Sequence, residues 1–250
     1  MKTRIQTKLA QLEKAHNITI LLACETGSRA WGFASPDSDY DVRFIYTHQP
    51  DWYLSIYDQK DTLEWLEGDL DLVGWDIRKC LQLLNKSNAS VFERLQSPIM
   101  YKEVEGFRQE FLALAPDYFS PKAGLHHYLS MAKKYFELCT STNEVKLKAL
   151  FYLMRTALAS LWIIEKESVP PLAFAELRVL VTNESVNRRM DELLAIKAEV
   201  TEKYTHHREP KLEQYVAEII DYCTENANTL GVSKGHTDSL NHFFRKWVNA

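Results

Sequence analysis

The run Glu25-Thr26-Gly27-Ser28-Arg29-Ala30-Trp31-Gly32, followed after a turn by Ser38-Asp39-Tyr40-Asp41-Val42-Arg43-Phe44-Ile45-Tyr46, decides how this chain is read. Just before it, Ile18 to Cys24 is a short apolar run, rich in β-branched residues and of strand length. Gly27 at the end of that strand permits a tight turn and a close approach of backbone to a ligand. Ser28 adds a hydroxyl, and a short helix opening there aims backbone N–H groups and the positive end of its dipole at an anion. Ser35-Pro36-Asp37-Ser38 is a turn. Beyond it Asp39, Asp41, Arg43 and Ile45 alternate with Tyr40, Val42, Phe44 and Tyr46, so the pattern predicts a strand with an acidic face and an aromatic face. Two carboxylates on one face are hard oxygen ligands suited to Mg²⁺ or Mn²⁺. Without a cation between them, each raises the other's pKa.

Working outward, Ile5, Leu9 and Leu12 recur at helical spacing between Lys2 and Lys14, with Asn17 as the stop. Thr62–Glu67 and Leu70–Trp75, separated by Gly68-Asp69, read as a hairpin. Asp71 lies mid-strand in phase with Asp69, Val73 and Trp75 and is the expected third carboxylate. Asp76 is its rival, but it stands where the N-cap of the helix Ile77–Lys86 belongs. Three such carboxylates can hold two divalent ions roughly 3.5–4 Å apart. After Ser97-Pro98 the strand signals fade into helices at Leu125–Cys139, Val145–Lys166, Pro171–Val181, Ser185–Lys203, Lys211–Leu230 and Leu240–Val248, with no repeating period. The expected fold class is α+β. A small mixed sheet with flanking helices occupies residues 1–105, followed by an all-α bundle over residues 106–250.

Composition bounds the function classes. In 250 residues, 46% hydrophobic and 26% charged content with 8 Gly and 8 Pro excludes collagenous and disordered chains. The net charge of −4 argues against tight duplex nucleic-acid binding by phosphate neutralisation. The whole acidic excess lies in the first 105 residues, with 12 Lys and Arg against 16 Asp and Glu. No apolar run approaches the roughly 18–20 residues of a membrane span, and the amino-terminal stretch is amphipathic, unlike a secretory leader. Four separated cysteines without a C-x-x-C pair fit free thiols in a reducing compartment. A cytoplasmic protein with no membrane partner is expected.

Gly27-Ser28, a ten-residue spacer, Asp39-Tyr40-Asp41 and a later carboxylate together resemble the signature of the DNA polymerase β-like nucleotidyltransferase superfamily. The longer stretches Glu25–Phe33 and Ser35–Tyr46, with Trp52-Tyr53-Leu54-Ser55-Ile56 and Gly74-Trp75-Asp76-Ile77-Arg78-Lys79, are similar to the stand-alone bacterial YcgL-like or RlaP-like nucleotidyltransferases. The likeness is clear through residues 1–105 and looser beyond. It implies that Asp39, Asp41 and Asp71 hold two Mg²⁺ or Mn²⁺ ions while Gly27 and Ser28 cradle the phosphates of an NTP. A hydroxyl acceptor then takes the NMP, and pyrophosphate leaves. Some members are associated with RNA repair, so an RNA 3′ end stands beside protein hydroxyls and small molecules as the acceptor.

Arg29 and Arg43 are candidate phosphate contacts, although Arg43 shares the acidic face and can equally pair with Asp41. On the helix Val145–Lys166, the stripe Lys148, Tyr152, Arg155 can hold phosphates and stack on a base, or form a solvated face. Two other classes fit part of the pattern. A D-x-D glycosyltransferase uses paired Asp but does not explain Gly27-Ser28. A catalytically silent nucleotide-binding or partner-interaction protein fits, but not the retention of all three carboxylates.

Overall fold

The computed structural model describes residues 1–231 and 235–249, and among them the chain forms seven strands and eleven helices. In chain order these are α1 (Lys2–His16), β1 (Ile18–Thr26), α2 (Gly27–Trp31), β2 (Tyr40–His48), β3 (Thr62–Glu67), β4 (Leu70–Asp76), α3 (Ile77–Asn85), α4 (Ala89–Gln96), β5 (Met100–Glu103), α5 (Phe107–Leu114), α6 (Pro121–Thr140), β6 (Glu144–Lys146), α7 (Leu147–Lys166), α8 (Phe174–Leu177), α9 (Glu184–Glu199), β7 (Thr205–His207), α10 (Pro210–Asn226) and α11 (Thr237–Val248). The expected α+β layout is present. It divides into two units, one of Met1–Ala30, Asp39–Tyr118 and Lys234–Ala250, the other of Trp31–Ser38 and Phe119–Ser233.

The first unit is built on a five-stranded sheet ordered β3-β4-β2-β1-β5. β2 and β4 run parallel, and the other neighbours are antiparallel. Alternation sorts the two faces as the sequence predicts. Val42, Phe44, Tyr46, Leu70 and Leu72 pack against Ile5, Leu9 and Leu12 of α1, whose end is set by Asn17 in the left-handed conformation. Gly74 lies opposite Phe44 in the β2–β4 register, and the Phe44 ring fills the space where a Gly74 side chain would stand. On the other face, the Arg94 guanidinium of α4 lies 3.3 Å from the centre of the Trp75 ring and donates to the Phe44 carbonyl at 3.3 Å. Burial pulls the Arg94 pKa down to about 10. Asp76 caps α3 through the Arg78 N–H at 2.8 Å and accepts from the Tyr53 hydroxyl at 2.7 Å, so both its oxygens are engaged.

This division differs from the expected boundary at residue 105. α5 belongs to the first unit, and so does α11 from the far end of the chain. The reason is aromatic packing, in which Phe243 and Trp247 of α11 meet Phe107 at 5.7 and 5.0 Å between ring centres. Sequence order carries no trace of that return.

The second unit is helical, with the small two-stranded β6–β7 ribbon added. The expected helix Pro171–Val181 is only the short α8 followed by a 3₁₀ turn at Arg178–Leu180. α7 is long and apolar enough to cross a membrane by length and composition, unlike anything the sequence reading anticipates, yet 72% of its most apolar window is buried inside the protein. Phe33 stacks on Phe151 at 5.1 Å and meets Phe174 edge-on at 5.8 Å in this unit. Lys197, 1% exposed, donates to Ser35 Oγ at 2.8 Å, and Glu202 accepts from Ser38 Oγ, so the turn before β2 is tied down by buried polar groups.

Gly74→Ala forces a Cβ into the Phe44 ring. The variant is expected to lose about 1–3 kcal/mol of stability, read as a lower urea midpoint with an unchanged slope.

Candidate active site

β1 ends in Glu25-Thr26, and the chain turns at Gly27, whose φ of +65° suits glycine. A side chain at Gly27 would overlap Asp41 Oδ2, so the carboxylate rests directly on the turn. Ser28 follows in the first turn of α2 and is buried. Across the sheet, Asp41 of β2 is in register with Asp71 of β4. In a parallel pair, registered residues point to the same side, and both carboxylates are about a third exposed, at 32% and 34%.

Arg43, two residues along the same face, holds them together. Its Nη2 donates to Asp41 Oδ1 at 3.1 Å and to Asp71 Oδ2 at 2.9 Å. Its Nη1 donates to the carbonyls of Val42 and Asp71, each at 3.2 Å. Asp39 lies just before β2 and is exposed, and its carbonyl accepts from Arg29 Nε at 3.1 Å. The Arg29 guanidinium stacks 3.8 Å from the centre of the Tyr40 ring.

The structure therefore brings Gly27, Asp41, Asp71 and Arg43 together in the first unit, with Asp39 at the mouth of the strand. Among the described residues, no three His, Cys, Asp or Glu side chains stand close enough to share one ion. The paired oxygens of Asp41 and Asp71 already share one cation, the guanidinium. Two anionic oxygens around a single positive charge are a donor set that suits a hard divalent cation. Asp76, five residues beyond Asp71 and committed to its helix and to Tyr53, is occupied elsewhere.

Lys148, Tyr152 and Arg155 lie on α7 in the second unit. Lys148 pairs with Glu202 at 3.0 Å. Tyr152 meets the Trp31 ring edge-on at 5.0 Å. Arg155 is 3% exposed, with its guanidinium 4.2 Å from the Trp31 ring centre and its Nε donating to the Leu172 carbonyl at 3.3 Å. The exposed stripe expected for these three holds least for Arg155, because α7 is enclosed around most of its circumference at that point.

Glu25 carries a role that the sequence reading did not assign. Its side chain is fully buried at the end of β1; Oε1 accepts the Asp41 N–H at 2.6 Å and Oε2 accepts the Tyr101 hydroxyl. Thr26 Oγ1 donates to the Asp41 carbonyl at 2.9 Å, so the backbone on both sides of Asp41 is pinned. Burial raises the Glu25 pKa, and the Tyr101 and Asp41 hydrogen bonds oppose the rise only in part. The available signal was a lone carboxylate closing an apolar strand just before a glycine turn.

The sheet sets a Gly-Ser turn against an acidic strand pair, and its likeness to known proteins puts the chain among nucleotidyltransferase-like proteins. A family described as "RlaP: RNA repair pathway DNA polymerase beta family" matches residues 1–246, and the chain belongs to that family. It is 37% identical over 251 residues to "Uncharacterized protein YcgL" of Bacillus subtilis (strain 168), covering 99% of this chain and 96% of that protein. Among solved structures, a nucleotidyltransferase-like protein from Exiguobacterium sibiricum 255-15 aligns over 90% of this chain and 75% of its own, at 10% identity and a TM-score of 0.33.

The Glu25 contacts can be separated from its charge. Gln in its place still accepts from the Asp41 N–H and can donate to the Tyr101 oxygen, whereas Glu25→Ala strands a buried donor and is expected to cost about 1–3 kcal/mol. A carboxyl that holds its proton more tightly folded than unfolded makes the folded state the better proton binder. Its stability therefore falls as pH rises from the ordinary Glu value to the raised one. Glu25→Gln is expected to remove that decline, measured as denaturation midpoints from pH 4 upward relative to the parent protein.

Proposed function

We propose that this chain transfers a nucleoside monophosphate from an NTP to a hydroxyl acceptor with the help of Mg²⁺ or Mn²⁺, Asp41 and Asp71 being its central carboxylates and Asp39 an additional one. The observation that carries the reading is the in-register pair Asp41–Asp71 around one positive charge beside the Gly27 turn. Family membership supports it, and the words "RNA repair" in the family description favour an RNA 3′ end as the acceptor.

The chain's own residues have defined tasks in this scheme. Gly27 leaves room for the Asp41 carboxylate to lie against the turn, and the backbone of that turn with Ser28, at the start of α2, would be the contact for a phosphate group. Glu25 and Thr26 hold the Asp41 backbone still, a form of preorganisation that costs nothing at the moment of reaction. Arg29, stacked on Tyr40 at the mouth of β2, would serve as a phosphate contact. Divalent cations bound by the carboxylates would supply charge neutralisation for the triphosphate and a lowered pKa for the acceptor hydroxyl. In the transfer itself, the acceptor oxygen bonds to the α-phosphorus, the bond from that phosphorus to the bridging oxygen breaks, pyrophosphate departs, and the hydroxyl proton passes to solvent.

A silent nucleotide-binding protein is the second reading, favoured by the guanidinium seated between the two carboxylates. The two separate on one experiment. With each α-labelled NTP, Mg²⁺ or Mn²⁺ and a panel of RNA, protein and small-molecule acceptors, label is expected to move to an acceptor. Asp41→Asn and Asp71→Asn are expected to reduce transfer by about 100-fold or more at an unchanged melting temperature. NTP binding without transfer to any acceptor would establish the silent reading instead.

A further inference from the structure

Asp41 cannot easily move. Its N–H is held by Glu25, its carbonyl by Thr26, and its Oδ2 lies against the Gly27 backbone. Arg43 is held only through the end of a long side chain, 20% exposed, and leaves by giving up the Nη2 bonds to the two carboxylates and the Nη1 bonds to the Val42 and Asp71 carbonyls. A guanidinium remains charged at any pH the protein tolerates, so half the charge of the pair is offset when no ion is bound. Arg43 engages one oxygen of each carboxylate, Asp41 Oδ1 and Asp71 Oδ2, and a divalent ion held by Asp41 and Asp71 would draw on the same two side chains. Two cations at hydrogen-bonding range of the same two oxygens would repel strongly at this depth.

We infer that Arg43 is a tethered counter-ion that competes with the divalent metal for Asp41 and Asp71. It stabilises the metal-free carboxylate pair on the interior strands β2 and β4, and it must swing off the carboxylates when an ion binds. The inference rests on the proposed metal-dependent function, because it assigns Arg43 a role at that same site. It also explains how two carboxylates can stand in register on neighbouring strands without an ion: the strand carries its own positive charge, two residues from one of them. Once displaced, the guanidinium stays tethered within a side chain's length of the phosphates that the metal would bring.

The test is titration of the full chain with MnCl₂ in the absence of nucleotide, followed by calorimetry and by the electron paramagnetic resonance of free Mn²⁺. Arg43→Gln is expected to bind Mn²⁺ about fivefold more tightly or better, the size of a partly exposed ion pair. It is also expected to melt below the parent protein without metal and to close that gap at saturating Mn²⁺. Asp41→Asn is expected to bind weakly in either background. Equal or weaker Mn²⁺ affinity in Arg43→Gln, with binding still lost in Asp41→Asn, overturns the competition and leaves the proposed function standing. Absence of Mn²⁺ binding in the parent and Arg43→Gln alike overturns both. If Arg43→Gln does not fold, Arg43→Lys keeps the charge but loses the two-carboxylate fork. It is then expected to gain more melting temperature from Mn²⁺ than the parent does, and an equal or smaller gain refutes the competition.

Discussion

The structure of the site turns on one constraint, the parallel register that sets Asp41 opposite Asp71. Like charges placed side by side on adjacent strands are destabilising, and a positive charge between them offsets that cost. Arg43 supplies it from the same strand. Everything nearby serves to keep that arrangement fixed: a glycine where the carboxylate needs room, a buried carboxylate gripping a backbone N–H, and a threonine gripping the neighbouring carbonyl. The other end of the same strand pair is purely structural, with Asp76 spent on a helix cap and a tyrosine.

The two faces of the sheet divide the labour. The α1 face is apolar and interdigitated, to the point that Gly74 exists to admit Phe44. The opposite face mixes apolar packing with buried charge, as Arg94 over Trp75 shows. A strand that must be dry on one side and chemically open on the other is what the alternation from Asp39 to Tyr46 encodes.

Much of this was legible along the chain, because helical and strand periods, caps and turns are short-range properties. Ile5, Leu9 and Leu12 with Asn17, the hairpin around Gly68-Asp69, and the Asp76 cap all stand as the local pattern indicates. Where local signals misled, a longer-range force prevailed. The Pro171–Val181 segment had helical composition but only a short stretch that packs, and Arg155 has the chemistry of a surface cation in an environment of aromatic rings.

By itself the sequence determined the α+β class, the order of the elements from α1 to α3, the glycine turn and the acidic face of β2, since each follows from residues fewer than about ten positions apart; β5, β6 and β7 are too short to leave a strand pattern. The tertiary structure alone decided that Asp71 faces Asp41, that Arg43 bridges them, that Glu25 grips Asp41 and that α11 closes on α5. Register between strands and the return of a distant helix depend on how the whole core fills space, and no local period carries that information.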